Sequence, residues 1–182
     1  MNTILKYALV VTVTILSFQA KSQDVYRTQN GNMVITVESA DTILKLTTKD
    51  LLVLLNYNNA KFEMKMDKST FYTGNDSLDK RLALMKYEII EFNGKLDLEF
   101  INTDGHPPLD FEVEGILSTN DNVINGTGHL EHISNRGAFS CLLTLKFNLK
   151  VGDLGLNIKW LNLKDDIQIE VVQIVLNKAE DY

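Results

Sequence analysis

Between residues 141 and 151 apolar and polar side chains alternate almost without fault. Cys141, Leu143, Leu145, Phe147, Leu149 and Val151 fall on one face, Thr144, Lys146, Asn148 and Lys150 on the other, with Leu142 the one misfit. Successive side chains of a strand point to opposite faces, so this pattern predicts a β-strand with one dry and one wet side. The rhythm recurs along the chain. Phe62, Met64 and Met66 oppose Lys61, Glu63 and Lys65; Leu96, Leu98 and Phe100 oppose Lys95, Asp97 and Glu99; Leu109, Phe111, Val113 and Leu117 oppose Asp110, Glu112 and Glu114. Further strands are expected over 34–39, 43–47, 51–57, 87–92, 126–133 and 167–176, about ten in all.

Turn residues separate these runs at Asn30-Gly31, Asn58-Asn59, Asn93-Gly94, residues 104–108, 120–122, 135–137 and Gly152-Asp153. Connections this short make hairpins, because a parallel crossover needs a dozen or more residues. Only 75–86 offers that length. There Asn75 or Asp76 can cap a helix whose Leu78, Leu82 and Met85 share one stripe. The expected fold class is therefore all-β and antiparallel with one short helix, and about ten strands in one sheet must curl, split or close into a barrel or sandwich. The five consecutive aliphatic residues 51–55 suggest a strand buried on both faces or one shared across a homodimer edge.

Lys6, the apolar run 7–18 and the small residues Ala20 and Ser22 read as a cleavable signal peptide over 1–22, leaving 23–182 as a single domain in the periplasm or outside the cell. The apolar run is shorter than the ~20 residues of a membrane-spanning helix, so no integral membrane segment is expected in the mature chain. About 160 residues suffice for one core without disulfides, which the lone Cys141 cannot form within the chain. Loss of Lys6 and Lys21 lowers 18 basic residues to 16 against 24 acidic ones, a formal charge of -8 that repels phosphate backbones. Nucleic acid is not an expected partner.

Catalysis needs a nucleophile or an acid–base pair held in a cleft, and no such set stands out. Cys141 begins the strongest strand on its apolar face, where a thiol behaves as a small hydrophobe. His106 lies in a Gly-His-Pro-Pro turn and reads as a solvent-exposed loop residue. His129, Glu131 and His132 are metal-ligand types, but in a strand residue 132 faces away from 129 and 131. No catalytic residue, metal site or resident cofactor is expected, and the protein is read as a non-enzyme.

The order of these features resembles the YceI-like family of exported proteins. The likeness starts at residues 27–39, with an Asn-Gly step in the opening strand, and continues through 62–71, where Lys68-Ser69 precedes Phe71. It takes in the acidic helix 75–85, the glycine-bearing pair 87–92 and 95–100 around Gly94, the strands 110–117 and 126–133, and the closing section 139–157. Residues 130–138 depart from the family's threonine-isoleucine-histidine-glycine-valine-threonine-lysine stretch. The resemblance implies a lipocalin-like β-barrel holding a polyisoprenoid, an isoprenoid quinone or another lipid.

On that reading the inward residues Phe62, Met64, Met66, Leu98, Phe100, Phe111, Val113, Leu143, Leu145 and Phe147 line the ligand cavity. The helix near 75–86 and the Pro107-Pro108 turn would be mouth elements. Each ligand methylene taken from water would contribute about 0.8 kcal/mol. If the same side chains interdigitate, that energy goes into stability. The protein would then be a structural or partner-binding domain working through loops 102–108, 118–125 or 134–138.

Overall fold

The computed structural model describes residues 24–39, 43–102, 106–135, 138–155 and 163–179; the expected signal peptide lies outside them. The described residues form eight strands: β1 (Val25–Ser39), β2 (Ile43–Asn56), β3 (Lys61–Asp67), β4 (Ile89–Leu96), β5 (Leu109–Leu117), β6 (Val123–Asn135), β7 (Ala138–Lys150) and β8 (Leu163–Lys178). Each pairs antiparallel with the next, and β8 returns to β1 through Met33↔Val171, Ile35↔Ile169 and Val37↔Ile167. The result is a closed barrel in sequence order. Closure leaves no unpaired edge among these strands. β2, with its aliphatic run, is bonded to β1 on one side and β3 on the other, so no sheet edge is free there for a second copy.

Strand existence follows the alternation, whereas several strand breaks expected from it are absent. Asn30-Gly31 is not a turn: β1 runs through it with register shifts on both sides of Gly31. Residues 43–47 and 51–57 belong to one strand, β2, in which inward Leu46 and Thr48 are followed by inward Leu51, Val53 and Leu55. β8 makes a matching slip between Val171 and Ile174, at Gln173 with φ 44°. Each slip is a bulge, which inserts unpaired residues and reverses the parity of the alternation. The same level of three neighbouring strands is bent in this way.

Asn93-Gly94 likewise lies inside β4, which ends at Leu96. Residues 97–99 leave the sheet as a bend. Consequently Phe100 is 61% exposed and points away from the core, whereas Leu98 is half-buried and packs against the core from the bend.

The barrel has two unlike ends. At the floor, β3 reaches β4 through a 3-10 turn (Lys68–Thr70) and the helix α1 (Asp76–Ala83). Asn75 caps α1, its Oδ1 accepting from the backbone N–H groups of Ser77 and Leu78, each at 3.1 Å. Leu78 and Leu82 join the core. The opposite end, the mouth, carries the turn at 57–60, the β4–β5 connection with Pro107 and Pro108, and the β6–β7 connection. The helix and the Pro-Pro turn expected to share a mouth are therefore at opposite ends.

Charge is buried only at the floor among the described residues. Lys68 Nζ donates to Glu88 Oε2 at 3.1 Å and to the Gly155 carbonyl at 3.0 Å. The Asp153 carboxylate accepts from Asn120 Nδ2 at 2.6 Å, Asn122 Nδ2 at 3.1 Å and the Lys150 backbone N–H at 2.8 Å, and the Thr119 hydroxyl donates to the Asp153 carbonyl. Removing one partner leaves the others unsatisfied, which costs about 1–3 kcal/mol. Asp153→Ala is expected to lower the denaturation free energy by about that amount in a urea titration; an unchanged midpoint would show that this network does not hold the floor.

Candidate functional site: the barrel interior and its mouth

Alternation along β3, β5 and β7 brings Phe62, Met64, Met66, Phe111, Val113, Leu143, Leu145 and Phe147 to the inside, all buried. Of the ten residues named from the sequence, these eight are inside the barrel, Leu98 packs against the core from the bend after β4, and Phe100 is exposed. β1, β2 and β8 complete the wall with Met33, Ile35, Leu46, Leu51, Val53, Leu55, Ile169 and Val171. Between mouth and floor the described interior is apolar. The buried polar side chains Thr48, Lys68 and Asp153 are at the floor or beside the bulge.

One wall lacks side chains. Gly94 and Gly115 face each other across β4 and β5, and Gly126 and Gly128 follow on β6, all at inward positions. Phenyl rings fill the space they leave. A Cβ on Gly128 would lie 2.3 Å from Phe111 Cζ, one on Gly126 2.4 Å from Phe147 Cδ1, and one on Gly115 2.6 Å from Phe92 Cζ. The rings also meet one another edge-on: Phe62 and Phe92 at 6.0 Å between centroids, Phe92 and Phe147 at 5.3 Å. Edge-to-face contact suits the aromatic quadrupole. The signal for this wall lay in the Gly-Thr-Gly of 126–128, two successive inward positions without a side chain in a strand that otherwise alternates.

The mouth holds a polar cluster. Tyr26 and Tyr57 stack with centroids 4.2 Å apart. The Tyr57 hydroxyl lies 2.6 Å from Cys141 Sγ and 3.3 Å from His132 Nε2. His132 stands opposite Cys141 across β6 and β7 and faces inward. The His106 ring lies on it, with centroids 4.0 Å apart. His106 is thus half-buried against the barrel, not in an open loop, because the β4–β5 connection docks there through buried Ile101, whose N–H donates to the Tyr57 carbonyl at 2.8 Å.

Burial raises the Tyr57 hydroxyl well above the ordinary phenol range, with the Cys141 contact adding to it, and pushes the Cys141 thiol up to about 11. Burial and the neighbouring His106 hold His132 below the usual imidazole range. Tyr57, Cys141 and His132 are therefore neutral hydrogen-bonding groups at neutral pH.

Outside, His129 Nδ1 pairs with Asp110 Oδ1 at 2.7 Å on the wet face. Both line an open surface cleft of about 490 Å³ over β5, β6 and β7. No three metal-ligating side chains converge among the described residues.

No family model matches the sequence, and no curated protein matches it. Solved structures do share the fold. A polyisoprenoid-binding domain from Saccharophagus degradans implicated in plant cell wall breakdown superposes with a TM-score of 0.64 at 10% identity, over 87% of this chain and 100% of that one. Burkholderia cenocepacia BcnA superposes at 0.57 and 13% identity, over 82% of this chain and 96% of that one. The lipocalin-like barrel implied by the sequence resemblance is the fold that the chain has.

Two outcomes follow from the packing. Gly128→Ala must push Phe111 and Leu145 aside and is expected to cost about 1–3 kcal/mol, whereas Gly152→Ala, with nothing within 4 Å, should be nearly silent; equal midpoints would mean that the rings yield freely. At pH 8 a thiol titrating near 11 is about one-thousandth thiolate. Iodoacetamide should label buried Cys141 only as fast as the barrel opens, and rapid labelling of native protein would contradict its burial.

Proposed function

We propose that this protein binds a single apolar chain inside the barrel, as a carrier or scavenger without catalytic activity. The observation that supports it is the interior itself: apolar from the Tyr57 cluster to the Lys68 floor, flexible where Met33, Met64 and Met66 line it, and bare of side chains along Gly94, Gly115, Gly126 and Gly128. Sharing a fold with a polyisoprenoid-binding domain favours an isoprenoid or similar lipid as the ligand. Polar chemistry contributes little to such binding, which comes from shape and apolar burial.

The rings now occupying the bare wall set a threshold. Exposing three phenyl groups costs at most about 5–9 kcal/mol, while each five-carbon isoprenoid unit taken from water contributes about 4 kcal/mol. Two or three units are needed before uptake becomes favourable. Short chains should fail where long ones succeed.

A second reading draws on the fit of the present packing. Met33, Leu51, Leu130, Leu143, Leu145 and Val171 have no accessible surface at all, so no open space adjoins them. A barrel that keeps this packing is a structural or partner-binding domain acting through its loops.

We also read residues 1–22 as an export signal on their sequence pattern, with the mature protein periplasmic or secreted. Intact mass after expression in a bacterial host with fractionation tests this, since a cytoplasmic product that keeps Lys6 and Lys21 would refute it.

Native mass spectrometry of protein purified without detergent, with extraction of any bound molecule, decides between the readings. A near-stoichiometric lipid, with uptake of twenty-carbon but not five-carbon isoprenoids, is the expected result. A bare mass and no uptake of polyprenols or quinones would leave the filled barrel.

A further inference from the structure

Two ring nitrogens at the mouth, His106 Nε2 and His132 Nδ1, are buried and have no hydrogen-bond partner among the described residues. Buried polar groups are nearly always satisfied, so an orphaned pair on adjacent rings marks a place where a partner belongs. Their protonation follows from their other contacts. His106 Nδ1 lies 2.6 Å from the Pro107 carbonyl, which can only accept, so the proton of the neutral ring is on Nδ1 and Nε2 offers a lone pair.

For His132 the neighbours are Tyr57 and Cys141, both protonated at neutral pH. An imidazole nitrogen is a far better acceptor than a thiol sulphur. The Tyr57 O–H therefore goes to His132 Nε2, and the Cys141 S–H to the Tyr57 oxygen. His132 then carries its proton on Nδ1, which is a donor. The mouth presents one buried acceptor and one buried donor on rings 4.0 Å apart.

From this geometry we infer that the ligand is an apolar chain ending in a hydroxyl, which donates to His106 Nε2 and accepts from His132 Nδ1. This rests on the carrier reading and narrows it. A quinone or ester carbonyl only accepts and would leave His106 Nε2 unsatisfied. A carboxylate or phosphate only accepts as well, and would bring its charge beside His132, which burial holds neutral. A hydroxyl fills both positions with a single uncharged atom, where a neutral carboxylic acid or an amide would need two. A site built around a hydroxyl discriminates strongly against an analogue without it, because its own buried groups are left unpaired.

The test uses the full chain and three probes of equal length: a twenty-carbon polyprenol, its methyl ether and the parent hydrocarbon, measured by displacement of a fluorescent apolar dye. The alcohol is expected to bind at least tenfold more tightly than the ether. His106→Phe and His132→Phe, which retain a ring in each place, should shrink that preference below threefold, the alcohol losing more affinity than the hydrocarbon, with thermal melting confirming that each variant folds. Equal affinity of alcohol and ether for the unaltered chain would overturn the inference while the carrier reading stands. Failure of all three probes to bind would sink both. A loss in the variants that is the same for alcohol and hydrocarbon would assign the histidines to packing and also overturn the inference.

Discussion

Closing eight strands into one barrel requires the sheet to bend sharply, and every other feature of this molecule is arranged around how that bend is made. An evenly twisted antiparallel sheet does not close by itself; bulges and glycines supply the curvature. Here the two devices are separated. β8, β1 and β2 bend together at Gln173, Gly31 and the stretch between Thr48 and Leu51. β4, β5 and β6 instead carry inward positions without a side chain, at Gly94, Gly115, Gly126 and Gly128, the kind of position that lets a sheet curve. The first device leaves the aliphatic wall intact. The second removes side chains from the opposite wall, and the rings of Phe92, Phe111 and Phe147 restore the lost contacts.

That restoration is also what makes the interior exchangeable. A wall of branched aliphatics presents its own atoms to the core and cannot be vacated without moving backbone. A wall of bare backbone covered by rings from neighbouring strands is different, because a ring can leave by rotation about two side-chain torsions while the strands stay paired. A chain-like ligand lying on the glycines would replace contacts of the same kind and area. On the proposed carrier reading, the filled and the liganded interior would be two occupancies of one surface, with a balance set by chain length.

Much of the fold was legible because the alternation was clean. β5 runs over the expected Leu109–Leu117, and the inward faces of β3 and β7 are those read from Phe62, Met64 and Met66 and from Cys141 to Leu149. The misreadings have two causes. A bulge reverses parity, so β1 and β2 looked like shorter strands. β4 instead pairs without a register shift through Asn93-Gly94, a turn-forming pair inside a regular strand, and the alternation of the sequence continues past Leu96 into the bend at 97–99. The mouth was not legible at all. His106, Tyr57, His132 and Cys141 lie on four separate segments, and the stacking of His106 on His132 depends on how the β4–β5 connection docks, which no local pattern encodes.

The unequal chemistry of the two ends then gives the barrel a direction. At the floor, Asp153 and Lys68 tie the 118–122 and 151–155 connections together by charged groups with several partners each, and opening there would expose them in turn. At the mouth the ion pair of Lys178 with Asp24 is partly exposed, the inner contacts of Tyr57 with Cys141 and His132 are between neutral groups, and two ring nitrogens have none. Separating neutral, incompletely paired groups costs less than separating buried charges. On the proposed carrier reading, an apolar chain entering or leaving the barrel would meet its lower barrier at the mouth, and a polar end group would rest beside the histidines, the last polar atoms it passes.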